Sequence, residues 1–171
     1  MALPRKLKYL NLFNDGNNYM GLVESLTLPK FTQKFEKFRG GGMPGAVDIS
    51  MGLDDGALDT EFEIGGTEAL LFKQLKATTV DGVQLRFAES IQRDDTGEVQ
   101  AVELVVRGRH KELDSGTHKQ GDSSTTKVSS TNSYAKLTIN GEVLYEVDLV
   151  NMVWIVDGVD LMEAHRAAIG L

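Results

Sequence analysis

Leu26-TLPKFTQKFEKFRGGGMPGAVDISMGLD-Asp55 decides the reading of this chain. It opens as an extended run in which Leu26, Leu28, Phe31, Phe35 and Phe38 are set among Thr, Lys, Gln and Glu. It breaks at Gly40-Gly41-Gly42 and Pro44, and resumes as Val47-Asp48-Ile49-Ser50-Met51. Two extended runs joined by a glycine-rich tip predict a long hairpin, or arm. Nothing in the segment has a catalytic pattern, and Met43 and Met51 suit a flexible, polarizable contact surface. An arm from Arg39 to Asp55 is expected to reach for another subunit; an ordinary mobile surface loop fits the same pattern.

Outward from the arm, strand patterns dominate. Leu58 to Ile64 alternates apolar residues with Asp59, Glu61 and Glu63. Val83, Leu85 and Phe87 alternate with Gln84 and Arg86, and Val102, Leu104 and Val106 with Glu103 and Arg107. Asn140-Gly141 between two alternating runs predicts a type I′ hairpin, because both residues tolerate positive φ. Asp94 to Glu98 predicts another. Thr67 is positioned to cap a helix over Glu68–Lys76 with Leu71, Phe72 and Leu75 as its buried stripe. A second, short helix is expected from Leu161 to Ile169, capped by Asp160 and stopped by Gly170. The polar segment Asp114–Ser133 reads as a loop that becomes an exposed, two-sided polar strand from residue 125 onward. The expected fold is mainly β: a β-sandwich or split barrel with one packed α-helix, an extended hairpin arm and a short C-terminal helix, all in one domain over residues 1–171.

Composition narrows the function classes. With 41% hydrophobic and 25% charged residues, wholesale disorder is not expected. The absence of cysteine excludes disulfides and thiolate metal sites and suits a reducing cytosol. No apolar run approaches the roughly 20 residues of a membrane helix, the start has no apolar signal core, and stable membrane association is not expected. A formal charge of −7 disfavours nonspecific nucleic-acid binding.

Specific chemistry is sparse. His110, Glu112, Asp114 and His118 form the best metal candidate, the first three sharing a strand face at period two. Arg107, Arg109, Lys111 and Lys119 around them discourage a cation, so a solvated charged turn is preferred. Asp54-Asp55-Gly56 with Asp59, and Asn14 to Asn17, lack EF-hand spacing and are turn chemistry. Gly65-Gly66-Thr67 lacks the lysine and serine of a phosphate loop, and no serine has an evident histidine partner. No catalytic residue, cofactor or metal is assigned. Asp59, Glu61 and Glu63 face one way and repel unless screened; an ordinary solvated sheet face accounts for them.

Three long blocks carry a family resemblance: NLFNDGNNYMGLVESLTLPKF (11–31), FRGGGMPGAVDISMGLDDGALDTEFEIGG (38–66) and EVDLVNMVWIVDGVDLMEAHRAAIGL (146–171). In this order, from Leu12 to Leu171, the chain resembles the major tail tube proteins of contractile-tailed bacteriophages and the related tubes of R-type pyocins. The resemblance implies a non-enzymatic structural protein of the virion, assembled in the bacterial host cytoplasm. It would form hexameric rings stacked into a hollow tube, with edge strands turned into assembly devices. The tube would serve as a conduit for DNA, or as a membrane-piercing needle in a headless particle, and as a template for the sheath. Implied partners are the sheath protein, baseplate tube initiators, a tape-measure protein and a tail terminator. On this reading Arg39, Gly40, Gly41, Gly42, Met43, Pro44, Met51, Leu53, Asp54 and Asp55 are expected at subunit interfaces. Asp59, Glu61 and Glu63 are expected on an anionic lumen wall that DNA passes without binding. A type VI secretion tube shares these physics. A small β-barrel binding module or hydrolase would instead require a pocket with convergent polar groups.

Overall fold

A computed structural model describes residues 2–171. Ten strands form one antiparallel sheet: β1 (Lys6–Asn14), β2 (Asn17–Asn18), β3 (Val23–Thr27), β6 (Thr60–Gly65), β7 (Val83–Gln92), β8 (Val99–Asp114), β9 (Thr125–Ile139), β10 (Glu142–Asp148), β11 (Val153–Val156) and β12 (Val159–Asp160). The intervening β4 (Gln33–Phe38) and β5 (Val47–Leu53) pair only with each other. Helices α1 (Ala69–Gln74) and α2 (Glu163–Ile169) complete the chain.

The path runs β12-β11-β10-β9-β8-β7-β1-β2. The long β9 gives one edge to β8 over nearly its whole length, and divides the other between β6 at residues 125–130 and β10 at residues 134–139. Strand β3 extends the sheet beyond β6. Strands β6 and β7 are three spacings apart along this path, about 14 Å on a flat sheet. Yet the Phe62 ring on β6 lies 5.4 Å from the Phe87 ring on β7. The sheet therefore curls until its inner face meets itself, a split barrel rather than a closed one. Leu12, Phe62, Ile64, Leu85, Phe87, Leu104, Val106, Val128 and Val147 fill that inner face, as the alternation in β6, β7 and β8 predicts.

The two predicted hairpins are present. Asn140 and Gly141 take φ +49° and +82° between Ile139 and Glu142, and Gly97 closes the β7–β8 turn at φ +71°. Gly108 answers a different need: a Cβ there would lie 2.1 Å from the Thr131 carbonyl oxygen, where β8 and β9 shift register.

Several expectations are corrected. The run from Leu26 to Phe38 is not continuous. It divides at Leu28–Thr32 around Pro29, which has no N–H for a ladder. Its first part, β3, pairs Leu26 with Phe62 in the main sheet. Helix α1 is capped by Glu68, whose carboxylate accepts from the Leu70 N–H, and not by Thr67. It is too short for a stripe: Leu71 is buried while Phe72 and Leu75 are exposed. Helix α2 starts at Glu163 without a side-chain cap; Asp160 instead accepts from the Met162 N–H, and Gly170 ends the helix at φ +85°. The strand from 125 onward is not two-sided and exposed, since Thr126, Val128, Ser130 and Asn132 are buried. Their polar groups find partners inside: Thr126 Oγ1 donates to the Gly66 carbonyl at 2.7 Å, and Asn132 Nδ2 to the Leu58 carbonyl at 2.8 Å.

Candidate functional site: the arm and the charged outer face

The β4–β5 arm stands as a sheet of its own because its ladder is local. Phe38 pairs with Val47, Lys37 with Asp48, Glu36 with Ile49 and Phe35 with Ser50. Paired residues share a face, so Phe38, Val47 and Ile49 form an apolar row on one side, interrupted by Glu36, and Phe35 lies on the other with Lys37, Asp48 and Ser50. Met51 sits where the register shifts, beside Gly52 at φ +95°. Phe35, Phe38, Val47, Ile49 and Met51 are between 46% and 56% exposed, values that describe a strand pair with neither face covered. A two-stranded hairpin is marginal in water by itself.

At its base the arm is anchored. The Phe31 ring lies 4.2 Å from that of Tyr145 on β10, Leu53 packs against the core, and the Asp54 N–H donates to the Thr32 carbonyl at 2.8 Å. Burial pushes the Tyr145 hydroxyl up to about 12. The tip folds on itself. The Gly40 N–H donates to the Met43 sulfur at 3.1 Å, the Met43 N–H to the Gly40 carbonyl at 3.3 Å, and Arg39 Nη2 to the Pro44 carbonyl at 3.4 Å. The expected interface residues thus divide into two groups. Arg39, Gly40, Gly41, Gly42, Met43, Pro44 and Met51 belong to the arm's free part, and Leu53, Asp54 and Asp55 to its root.

Asp59, Glu61 and Glu63 do lie off the apolar side of β6, with Asp59 just ahead of the strand. They are not an isolated acidic row. Lys127 across the ladder puts its Nζ 3.2 Å from Glu61 Oε2, and Ser129 Oγ donates to Glu61 Oε1 at 3.4 Å. The mixed pattern continues over the outer face of the sheet. Arg86 pairs with Glu103 at 2.7 Å. The Arg107 guanidinium lies 4.2 Å from the Tyr134 ring centroid, and Tyr134 donates its hydroxyl to Glu146 at 2.8 Å. Burial, together with that carboxylate acceptor, pushes the Tyr134 hydroxyl up to about 12. Sequence alternation could not show these two ion pairs, because the partners come from different strands.

The metal candidate comes apart for a backbone reason. A register shift between His110 and Glu112 turns Glu112 and Asp114 to the exposed side while His110 stays buried. Among the described residues no group of three or more His, Asp or Glu side chains is placed to hold a metal. His110 belongs to a polar cluster inside the barrel. Its Nδ1 is 3.0 Å from Ser130 Oγ and its Nε2 3.0 Å from Gln74 Oε1. Gln74 and Asn14 exchange amide hydrogen bonds at 3.0 and 2.7 Å. Burial holds the imidazole far below its ordinary value, at about 4. The sequence signal for this cluster was polar residues recurring at core positions of strands, as in Thr126, Ser130 and Asn14.

Comparisons with known proteins point to one family, matched over nearly the whole length. The phage tail tube protein FII family matches residues 4–170. The tail tube protein of Escherichia phage P2 is 49% identical over 172 residues, covering 100% of both chains. The major tail tube protein of Serratia phage KSP20 is 41% identical over 94% of this chain and 92% of that protein. A 22-residue fragment of the bacteriocin serracin-P 23 kDa subunit from Serratia plymuthica is 86% identical, covering 13% of this chain. In fold, the chain resembles one in the anti-feeding prophage baseplate, with a TM-score of 0.55 at 10% identity, over 81% of this chain and 97% of that one.

Proposed function

The chain belongs to the phage tail tube protein family, as a structural protein of the contractile-tail type, and from that premise we propose that it forms hexameric rings stacked into the inner tube of the tail. The observation that carries the stacking is the arm: an apolar row at Phe38, Val47 and Ile49, about half exposed on a hairpin that pairs, among the described residues, with no other strand. Contiguous exposed apolar surface on a structural protein marks a contact site. A neighbouring copy is the natural cover, since every ring supplies identical surfaces above and below. The open sheet offers a second device. The edge strands of a split barrel can pair with those of adjacent copies and continue the wall around the ring.

On this reading the tube passes DNA through its bore without specific binding and templates a contractile sheath. Sheath, baseplate initiator, tape-measure and terminator proteins are its partners, and no catalytic role is assigned. If the outer face of the sheet at Asp59, Glu61 and Glu63 lines the bore, the wall presents paired charges such as Lys127–Glu61 within an overall formal charge of −7 per copy. Such a wall repels phosphate by its net charge. A headless particle that acts as a needle is the second reading, favoured by the match to a bacteriocin subunit.

Excision of Gly41 to Gly52, with the gap closed by a short Gly-Ser turn, tests the proposal. The expected result under the electron microscope is a folded, soluble subunit that forms no tubes. Normal tubes from the excised chain would show that the arm is only a surface loop.

A further inference from the structure

Outside the barrel the chain leaves a second apolar surface, at its C-terminal end. Val156 on β11 and Val159 on β12 are ladder partners and so stand side by side on one face. With Val150, Leu161 and Ile169 they are between 41% and 65% exposed. Helix α2 has no buried side chain. Arg166 fastens it, donating to the Met152 carbonyl at 2.6 Å and pairing with Asp160. Exposed apolar side chains gathered around a helix with no packed face mark a contact site.

Charge says what fits there. Residues 148–171 carry four carboxylates against one arginine, a formal net of −3 with histidine neutral. The arm with its root, residues 30–53, carries Lys30, Lys34, Lys37 and Arg39 against Glu36 and Asp48, a net of +2. Other exposed apolar groups lack that acidity. Beside Leu7 and Tyr9 the ion pairs Arg5–Glu98, Lys8–Asp94 and Arg93–Asp95 cancel, and Lys6 adds a positive charge. Around α1, exposed Phe72 and Leu75 are each followed by a lysine, Lys73 and Lys76.

We propose that the arm of one copy docks on this C-terminal surface of another, its row of Phe38, Val47 and Ile49 against Val156, Val159 and Ile169. The inference rests on the stacking reading above and names where the arm lands. Both surfaces stay exposed in a single copy, although the arm's root rests on Tyr145 of β10, the strand beside β11. Two different, complementary patches on one molecule make a head-to-tail contact. Such a contact closes into a ring or propagates along a stack, and does not stop at a dimer. Apolar burial supplies the affinity. Opposite charge, with Lys34 and Lys37 on the arm and Asp157 and Glu163 on the other surface, sets partner and orientation.

The absence of cysteine makes the test direct. Phe38→Cys or Ile49→Cys chains are assembled with Val156→Cys, Val159→Cys or Ile169→Cys chains, and the tubes are oxidised. Cysteine keeps an apolar side chain at each position, and a disulfide needs Cα atoms within about 7 Å. The expected result on a non-reducing gel is a disulfide-linked heterodimer from at least one of these combinations. Neither arm variant should link to Leu7→Cys. Independently, Asp157→Lys with Glu163→Lys should raise the concentration needed for tubes about tenfold, and adding Lys34→Glu with Lys37→Glu should restore it. The proposal is overturned by tubes whose arm cysteines link to none of the three C-terminal positions, or link to Leu7→Cys instead. Charge reversal without effect on assembly overturns it as well. If the parent chain forms no tubes, the stacking reading itself fails, and the docking falls with it.

Discussion

The barrel and the arm place similar residues in opposite circumstances. Phe62 and Phe87 in the barrel are 1% and 0% exposed and touch edge to face, whereas Phe35 and Phe38 in the arm are 54% and 53% exposed. Both regions are antiparallel strands that carry aromatic residues. What differs is whether the chain supplies a second layer. The barrel's sheet curls to meet itself and receives Leu58, Leu71 and Tyr19 as cover, while the arm leaves the sheet before any element can fold over it. Apolar alternation therefore specifies strand and face, and chain connectivity decides whether that face is a core or a contact surface.

The contrast predicts unequal costs for one substitution. Phe87→Ala should destabilise the folded subunit by about 4 kcal/mol, the usual scale for deleting a buried aromatic ring. Phe38→Ala should change subunit stability by less than about 0.5 kcal/mol, as exposed positions do. Urea denaturation of both variants checks this, and a large loss from Phe38→Ala would mean that the arm is covered within the subunit.

Acid sharpens the same division, because the buried titratable cluster belongs to the barrel alone. The His110 imidazole has an ordinary value of 6.5 and a folded value of about 4. The neutral ring is favoured by the fold, and between these values the unfolded chain binds the extra proton. Stability is therefore fully present above pH 6.5, declines as pH falls toward about 4, and loses roughly 3 kcal/mol through this group. Melting curves across this range should show the decline in the parent chain. In His110→Gln they should show only the smaller slope of the carboxylates.

Smaller effects probe turns and surface pairs. Asn140→Ala keeps the backbone at φ +49° with a residue that resists it, and should cost about 1 kcal/mol in thermal unfolding. Lys127→Ala breaks a half-exposed pair with Glu61, and should cost less than about 1 kcal/mol, diminishing with salt. A larger loss that salt also diminishes would show that the charges of the outer face hold the subunit together.

The sequence made much of this legible, for reasons that can be stated. Val83-Leu85-Phe87 and Val102-Leu104-Val106 announced their inner face by strict alternation. Asn140-Gly141 announced its turn because few other pairs accept that backbone. The arm was legible from its glycine-rich break, though not its separation from β3, which depends on Pro29 and on the pairing of Leu26 with Phe62. Thr126, Ser130 and Asn132 read as solvent-facing because hydroxyls and amides seldom fill a core. They are buried because His110, Thr60 and the Gly66 and Leu58 carbonyls, distant in sequence, satisfy them. The shared face expected for His110, Glu112 and Asp114 failed at a register shift, which alternation by itself does not encode. The family was legible because its long blocks run in order along the whole chain.

The decisive measurement is electron microscopy of the double variant Phe38→Ser, Ile49→Ser beside the parent chain, with melting temperatures taken on the same samples. Both substitutions lie on the exposed apolar row of the arm, and neither residue belongs to the core cluster. The predicted result is a variant that melts with the parent's subunit but forms no tubes at concentrations where the parent does. Tubes of normal length and number from the variant would contradict the role given to the arm.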